Sequence, residues 1–284
     1  MKKQVVFIGN RAGVLDVCLA EPDWQVVAIF AVRGSLLETD LAARPLPHTP
    51  FAFAEKEAIL GQLESTAFDI LVSNGCPFIL PISRLRRENR LFLNTHPSLL
   101  PHLKGPHPVN GLFLQGYRQF GATTHYMAEE VDAGEILGQR RIDLTPDLDA
   151  GLAYRLSFAL EADAFRQAIA ALKAADYGPA GRPQPPGGSF YRRTGADQRA
   201  DATRESAVQI ETKIRAFGIR SLGVTLTTLE GAYRVFEGCA VTHPEAVRRF
   251  GRGAPGAVVL DYDGKLLVET PDGLVKLVVY EALA

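Results

Sequence analysis

The order of the apolar runs in the first hundred residues most constrains the fold of this 284-residue chain. Four runs of strand length alternate with stretches that carry apolar residues at helical spacing. The predicted strands are residues 3–9, 25–32, 68–73 and 91–94, and the predicted helices lie around 14–19 and 55–63. Because strands that alternate with helices form a sheet covered on both faces, the sequence predicts an α/β fold with a mostly parallel sheet.

The second half of the chain has a different pattern. A long amphipathic helix is predicted over 149–175, a linker rich in Pro and Gly over 177–189, and a further helix over 205–217. Short strands with glycine turns are then predicted at 222–229, 232–241, 256–262, 265–270 and 274–280. This pattern predicts three parts: a catalytic domain at 1–177, a linker at 178–204, and a small C-terminal β-barrel or sandwich at 205–284.

Charge and cysteine usage bound the class of protein. The chain carries 31 Lys and Arg against 32 Asp and Glu, and 46% of its residues are apolar. These values are typical of a soluble globular protein. The first apolar run, residues 5–8, is too short for a signal peptide or a membrane span. Three widely separated cysteines without a Cys-x-x-Cys pair favour a reducing, cytoplasmic setting with no membrane partner.

Three histidines raise the question of a metal site. His96, His102 and His107 are separated by six and five residues, which fits neither a helical pair nor a zinc-knuckle pattern. The prolines between them indicate an irregular loop, where histidine is usually a polar surface residue. The sequence therefore predicts no catalytic metal.

Polar residues follow the predicted strand 91–94. Asn94 lies at its end and His96 comes two residues later, so both side chains point to the same side of extended backbone. The prolines at 97 and 101 cannot continue a central strand. In open α/β sheets ligands bind beyond the carboxyl ends of the strands, which is where this pair falls. Taken alone, the pair also fits a turn cap and a half-buried polar histidine.

Asp132 adds a carboxylate to this amide and imidazole. Transfer of an acyl group to an amine needs a donor that holds the oxyanion, an acid/base group that acts near neutral pH, and a carboxylate that receives the amine's proton. Asn94, His96 and Asp132 supply these three groups. They are the predicted catalytic residues.

The surrounding motifs carry a family resemblance. The chain has Asn-x-His, then Ser-Leu-Leu-Pro at 98–101, Gly-x-Thr-x-His at 121–125, and Asp-x-Gly at 132–134, with Glu135 where Asp is common. This pattern resembles the formyltransferases that use 10-formyltetrahydrofolate, a group that includes methionyl-tRNA, glycinamide ribonucleotide and amino-sugar formyltransferases. The resemblance implies the Rossmann-like formyltransferase fold, and the C-terminal tail is similar, more loosely, to the two-domain members.

The resemblance also implies roles for individual residues. Asn94 and His96 would hold the oxyanion, while Asp132 would orient His96 and move the amine's proton toward the folate. By the same similarity two loops would enclose the pterin of 10-formyltetrahydrofolate, the formyl donor. Their candidate residues are Phe78, Ile79, Leu80, Met127, Ala128, Glu129 and Val131. Ordinary core packing is the alternative for Ile79 and Leu80.

The acceptor amine is left open by the sequence. A net charge of −1 disfavours nucleic acid as the partner, because phosphate contacts need basic patches. The preferred acceptor is therefore a small amine, an amino sugar linked to a nucleotide, with methionyl-tRNA as the rival. A basic cluster at Arg84, Arg86, Arg87 and Arg90 would meet phosphate in either case, unless it is only a solvated face.

Other functions fit the same residues. Water as the acceptor would make the protein a 10-formyltetrahydrofolate hydrolase, and a hydroxyornithine-type amine is a further alternative. A folate-binding module without chemistry would be expected to lack one of the three catalytic residues, and all three are present. A homodimer is also compatible with the sequence.

Overall fold

The computed structural model describes residues 1–283 of the chain, and they divide into two units that interleave in sequence. The first unit consists of Met1–Gly105, Gln119–Asp143 and Arg155–Phe190. The second consists of Pro106–Arg118, Leu144–Tyr154 and the chain from residue 191 onward. The predicted boundaries at 177 and 205 treat the domains as continuous stretches, and they stay a prediction.

The first unit is built on a seven-stranded sheet. Its strands are β1 (Lys3–Gly9), β2 (Trp24–Val32), β3 (Thr49–Phe51), β4 (Ile70–Asn74), β5 (Leu91–His96), β6 (Gln119–Tyr126) and β7 (Ile136–Asp143). They lie in the order β3-β2-β1-β4-β5-β6-β7. The pairs from β3 to β5 are parallel, and β6 and β7 add two antiparallel pairings. The predicted mostly parallel α/β sheet is confirmed.

Both faces of this sheet are buried, which explains the continuous apolar run of β1. Val5 and Phe7 join one apolar cluster, whereas Val6 and Ile8 join another on the opposite face. The helices, in chain order, are α1 (Ala12–Ala20), α2 (Leu36–Ala42), α3 (Lys56–Ser65), α4 (Ile82–Leu85), α5 (Pro108–Leu114), α6 (Ala150–Ala174), α7 (Ala207–Phe217) and α8 (Pro244–Phe250). Of the residues described, none belongs to a helix that is both long and apolar enough to cross a membrane.

The second unit contains a six-stranded sheet. Its strands are β8 (Arg199–Asp201), β9 (Val224–Thr227), β10 (Ala232–Val241), β11 (Val258–Tyr262), β12 (Lys265–Thr270) and β13 (Gly273–Leu283), in the order β11-β12-β13-β10-β9-β8. All pairings are antiparallel except β8 with β9. β8 lies inside the predicted linker 178–204, which is therefore not wholly irregular. Closure of the strands into a barrel or sandwich stays a prediction.

The register between β5 and β6 positions the motifs. Asn94 lies opposite His125, and His96 lies opposite Thr123, across this antiparallel ladder. The Asn-x-His and Thr-x-His motifs are thus two halves of one cross-strand arrangement. Asp132 follows in the loop between β6 and β7, beside the end of β5.

Candidate active site

His96 is held in one orientation by a backbone carbonyl. Its side chain is buried, with 6% of the residue exposed, and its Nε2 lies 2.9 Å from the carbonyl oxygen of Leu103. A carbonyl can only accept, so Nε2 carries the hydrogen and Nδ1 faces Asp132. Nδ1 and Asp132 Oδ2 are 3.7 Å apart, which is an electrostatic contact longer than a hydrogen bond.

The carboxylate of Asp132 is held by the backbone as well. Oδ2 accepts from the N–H of Gly105 at 2.9 Å, and the side chain is nearly buried. Oδ1 lies 3.4 Å from Asn94 Nδ2 and 3.6 Å from His125 Nε2. The structure therefore brings together the three predicted catalytic residues, with His125 as a fourth group.

His125 determines where the amide of Asn94 points. Its Nδ1 lies 2.8 Å from the carbonyl oxygen of Tyr126 and donates to it, so Nε2 is left to face Asn94 and Asp132 and is an acceptor whenever the ring carries a single hydrogen. Asn94 Nδ2 lies 3.2 Å from this acceptor and 3.4 Å from Asp132 Oδ1. Both amide hydrogens of Asn94 are thus directed within the site, and an oxyanion bound by Asn94 would replace one of these contacts.

Burial and neighbouring groups separate the protonation states of the imidazole and the carboxylate. Burial lowers the pKa of His96, and Asp132 and the Leu103 carbonyl only partly offset it. Burial acts to raise the pKa of Asp132, but His96, His125 and the Gly105 N–H outweigh it and hold that pKa well below its usual value. At neutral pH the site therefore holds a neutral imidazole next to an ionised carboxylate.

A buried ion pair lies behind the site. Arg11 Nη1 and Glu161 Oε1 are 2.7 Å apart, and both side chains are buried. Burial raises the pKa of Glu161, with Arg11 and Asn74 acting against it. Asn74, at the end of β4, donates from Nδ2 to the carbonyl oxygen of Thr95, the residue between Asn94 and His96. Asn74 thus supports β5, with Arg11 and Glu161 behind it. The three residues lie far apart in the sequence, and no motif there predicted this role.

The seven candidate folate residues separate into two groups. Phe78 and Leu80 are buried and pack with Met127 in the apolar cluster that Val6 and Ile8 occupy. The exposed residues are Ile79 at 65%, Val131 at 37%, Ala128 and Glu129. Core packing thus describes Leu80 but not Ile79. The second loop is linked to α4, which follows the first loop, because Glu129 Oε1 accepts from the N–H of Ser83 at 3.1 Å.

Two arginines of the basic cluster are engaged within the protein. Arg84 forms ion pairs with Glu57 and Glu64. Arg90 donates to the carbonyl oxygens of Leu85 and Thr66, and its guanidinium lies 3.8 Å from the ring centre of Phe68. These contacts favour a structural role for the two side chains over phosphate binding.

Within residues 1–283, no three His, Cys, Asp or Glu side chains are grouped in a way that would hold a metal ion.

Two side chains outside the predicted set contact the site's loops. Gln184 donates to carbonyls of the Asp132 loop, and Ser189 accepts from Leu103 N. Both lie in the segment that composition predicted to be a linker, and composition alone offered no signal for them.

Comparison with known proteins points to one family. Residues 5–169 match the family model described as formyl transferase. A curated relative, the methionyl-tRNA formyltransferase of Myxococcus xanthus, is 29% identical over 215 residues, which cover 75% of this chain and 62% of the relative. The chain thus matches less than two thirds of the length of that relative.

Solved structures share the fold. An N-formyltransferase from Helicobacter canadensis, in complex with folinic acid and dTDP-3-aminofucose, superposes with a TM-score of 0.70 at 15% identity, over 99% of this chain and 100% of the other. HypX from Aquifex aeolicus, in complex with tetrahydrofolic acid, gives a TM-score of 0.66 at 17% identity, over 100% of this chain and 45% of HypX.

Proposed function

Because the chain belongs to the formyl transferase family, we propose that it transfers the formyl group of 10-formyltetrahydrofolate to an amine. The observation that carries this proposal is the group formed by Asn94, His96 and Asp132 at the carboxyl end of β5. The ionised carboxylate of Asp132 lies 3.7 Å from the neutral imidazole of His96 and 3.4 Å from the amide of Asn94 there. Such a set supplies proton transfer and oxyanion stabilisation together.

Each residue has a defined part in this proposal. 10-Formyltetrahydrofolate supplies the electrophilic formyl carbon and a nitrogen leaving group. Asp132 accepts the proton of the attacking amine, directly or through one water, and returns it toward the leaving nitrogen. Asn94 Nδ2 donates to the formyl oxygen as negative charge develops on it, and His96 Nδ1 adds a second donor by taking a proton from water and returning it when the oxyanion collapses. Removing one such donor typically costs about 10²–10³ in turnover.

The folate would lie against the two loops. In the proposal, backbone groups of residues 78–80 and 127–131 enclose the pterin, and Ile79 and Val131 offer it exposed apolar surface. Phe78, Leu80 and Met127 support the loops from the core. Ala128 and Glu129 lie on the exposed side of the second loop.

For the acceptor we propose a small amine, an amino sugar linked to a nucleotide. The charge pattern supports it, because acidic and basic residues are nearly equal in number and several basic side chains pair with acids. In the second unit Glu245 pairs with Arg248 and Arg249, and Asp263 pairs with Lys265. The Helicobacter canadensis enzyme, bound to a dTDP-linked amino sugar, shares the fold along the whole chain.

Methionyl-tRNA is the second candidate acceptor. It is favoured by the Myxococcus xanthus relative, which is named for that activity. The net charge of −1 argues against it, since tRNA binding relies on neutralised phosphates.

The test is incubation of the purified protein with 10-formyltetrahydrofolate and a panel of acceptors. The panel contains aminodeoxy-sugar nucleotides, hydroxyornithine, charged initiator tRNA and buffer alone, and product masses are measured. A gain of one formyl group on a sugar nucleotide supports the proposal. Formylation of tRNA alone overturns the proposed acceptor, formate release in buffer indicates a hydrolase, and folate binding without turnover indicates a binding module.

Asp132→Asn should lose the activity. Asp143→Asn, at an exposed position of β7, should retain it.

A further inference from the structure

Residues 182–190, part of the predicted linker, pack along the two loops that hold the site. Arg182 exchanges both backbone hydrogen bonds with Ile136, at 2.8 and 2.9 Å, just after the Asp132 loop. At the other end Phe190 forms a β-bridge with Lys104. The segment therefore spans from the loop that carries Asp132 to the loop that contacts His96.

Gln184 fixes the backbone around Asp132. Its Nε2 donates to the carbonyl oxygens of Asp132 at 2.9 Å and Gly134 at 2.8 Å. Its Oε1 is buried and, among the residues described, has no hydrogen-bond partner. Turning the amide over would place Oε1 against two carbonyl oxygens, so the orientation is determined by the two donated bonds.

Ser189 fixes the loop that orients His96. Its Oγ accepts from the N–H of Leu103 at 2.9 Å, and its carbonyl oxygen accepts from the N–H of Lys104 at 2.9 Å. The carbonyl oxygen of Leu103 orients His96. Two residues later, the N–H of Gly105 donates to Asp132. A shift of this short loop would therefore move both catalytic contacts.

The backbone at these positions needs support. Asp132 has φ of +54° and Leu103 has φ of +57°, a left-handed conformation that non-glycine residues seldom adopt. Such residues are strained and persist where the surroundings determine them. Gln184 and Ser189 hydrogen-bond at these two residues.

We propose that residues 182–190 act as a brace for the active site, in which Gln184 is a positioning residue for Asp132 and Ser189 is a positioning residue for His96. The inference goes beyond the proposed reaction, and its activity readout depends on that reaction. Its geometric readout does not, because the distance between Asp132 and His96 affects the imidazole whether or not a substrate is turned over.

The test for Gln184 compares Gln184→Met with Gln167→Met. Methionine keeps the length of glutamine and removes both donors. Gln167 is an exposed residue of α6 whose Oε1 accepts from Gln139 N, so it controls for loss of a side-chain bond to β7. The imidazole of His96 is titrated by NMR with labelled histidine, with assignment by a His96→Asn sample, and kcat and KM are measured with the acceptor found above.

In Gln184→Met we expect the His96 titration to move to lower pH, because the Asp132 charge that raises its pKa moves away. We expect kcat to fall by roughly 10- to 100-fold, since a misplacement of about 1 Å costs around 10² in rate. KM should stay within about threefold, because positioning acts on the chemical step. Gln167→Met should match wild type in both readouts.

An unchanged His96 titration and kcat in Gln184→Met would overturn the Gln184 part of the brace. Should that variant not fold, Gln184→Leu, which also lacks the donors and adds no charge, replaces it. Ser189→Ala should lower kcat and Ser189→Thr, which keeps the hydroxyl, should restore it. Equal rates for both would overturn the Ser189 part. Absence of turnover by wild type counts against the proposed function, and the titration still decides on the brace.

Discussion

At the scale of single residues, the two histidines and the carboxylate of the site are each oriented by a main-chain group. Leu103 O binds His96, Gly105 N binds Asp132, and Tyr126 O binds His125. Main-chain groups on packed loops cost little reorganisation when charge develops, which is the basis of electrostatic preorganisation. The sequence prediction assigned the orientation of His96 to Asp132, whereas the hydrogen bond that fixes the ring is made by Leu103.

Asp132→Asn removes the ionised carboxylate and keeps its size. The Asn oxygen still accepts from Gly105 N, so we expect the melting temperature to stay close to that of wild type. We expect kcat to fall by about 10²–10⁴, the range for a lost general acid/base. Steady-state kinetics and thermal unfolding check this. A variant with a kcat within twofold of wild type would contradict the role of Asp132.

His96 gives the stability a defined pH dependence. Its pKa is lowered in the folded protein, while in the unfolded chain it stays near 6.5. Between these two values the unfolded state binds more protons, so the free energy of unfolding decreases as the pH falls. The stabilisation is complete above about pH 6.5 and is lost as the pH falls toward the folded-state pKa. Each tenfold difference in proton affinity between the two states corresponds to about 1.4 kcal/mol.

Urea unfolding of wild type and His96→Asn at pH 8 to 5 measures this contribution. We expect the difference in the free energy of unfolding between the two proteins to change progressively below pH 6.5, in the direction that disfavours wild type. His48→Asn, at a half-buried position away from the site's hydrogen bonds, serves as the control. A difference that stays constant from pH 8 to 5 would contradict burial of a neutral His96.

At the scale of secondary-structure elements, the β5–β6 ladder explains the spacing of the motifs. Asn94 faces His125 across the ladder. The neighbouring threonines, Thr95 and Thr124, share a hydrogen bond of 3.0 Å between their hydroxyl groups. The Asp-x-Gly motif needs a glycine at its third position for a steric reason. A Cβ at Gly134 would lie 1.8 Å from the carbonyl oxygen of Tyr126, the last residue of β6.

Gly134→Ala should therefore push the Asp132 loop away from β6. We expect a loss of stability on the order of 1–3 kcal/mol, the range for overpacking that forces the backbone to shift, together with loss of activity. Gly61→Ala is the matched control, because Gly61 lies in α3 and a Cβ there meets nothing within 4 Å. That change should stabilise the protein by about 0.5–1 kcal/mol.

Chemical denaturation of both variants checks this pair. A Gly134→Ala protein as stable as wild type would show that the loop and Tyr126 separate at little cost, contrary to the packing described. A destabilised Gly61→Ala protein would show that the α3 position is not open to a side chain.

At the scale of the whole molecule, charge balance bears on the choice of acceptor. The chain has 31 basic and 32 acidic residues, and basic side chains in both units pair with acids. A chain of nearly balanced charge attracts an extended polyanion less than a basic chain does, whereas a sugar nucleotide needs only local contacts.

Salt dependence of the reaction tests this expectation. For a small acceptor we expect kcat/KM to change less than about threefold between 50 and 200 mM NaCl, because few phosphates are neutralised. A tRNA acceptor would lose affinity steeply, by about 10³–10⁵ over the same range for six to ten phosphate contacts. A steep decrease measured with the small acceptor would contradict the proposed mode of binding.

The sequence by itself determined the alternation of strands and helices, the mostly parallel sheet, and the place of Asn94 and His96 at the carboxyl end of a central strand. These features depend on periodicity and on prolines within a few residues, so they can be recognised locally. Strands β3, β6 and β7, as well as β8 within the predicted linker, were not predicted as strands. Their local pattern is weak, because β3 and β8 have three residues each and β6 and β7 mix polar residues with few apolar ones.

Only the tertiary structure decided which groups meet at the site. His125 faces Asn94 from 31 residues away, and Gln184 reaches Asp132 from 52 residues away. It also decided that Leu80 lies in the core and that Ile79 is exposed. Both residues are apolar, so the sequence did not distinguish between these positions. Each of these outcomes depends on how the chain returns to the sheet, and a contact between distant segments leaves no periodicity in either segment by which it could be recognised.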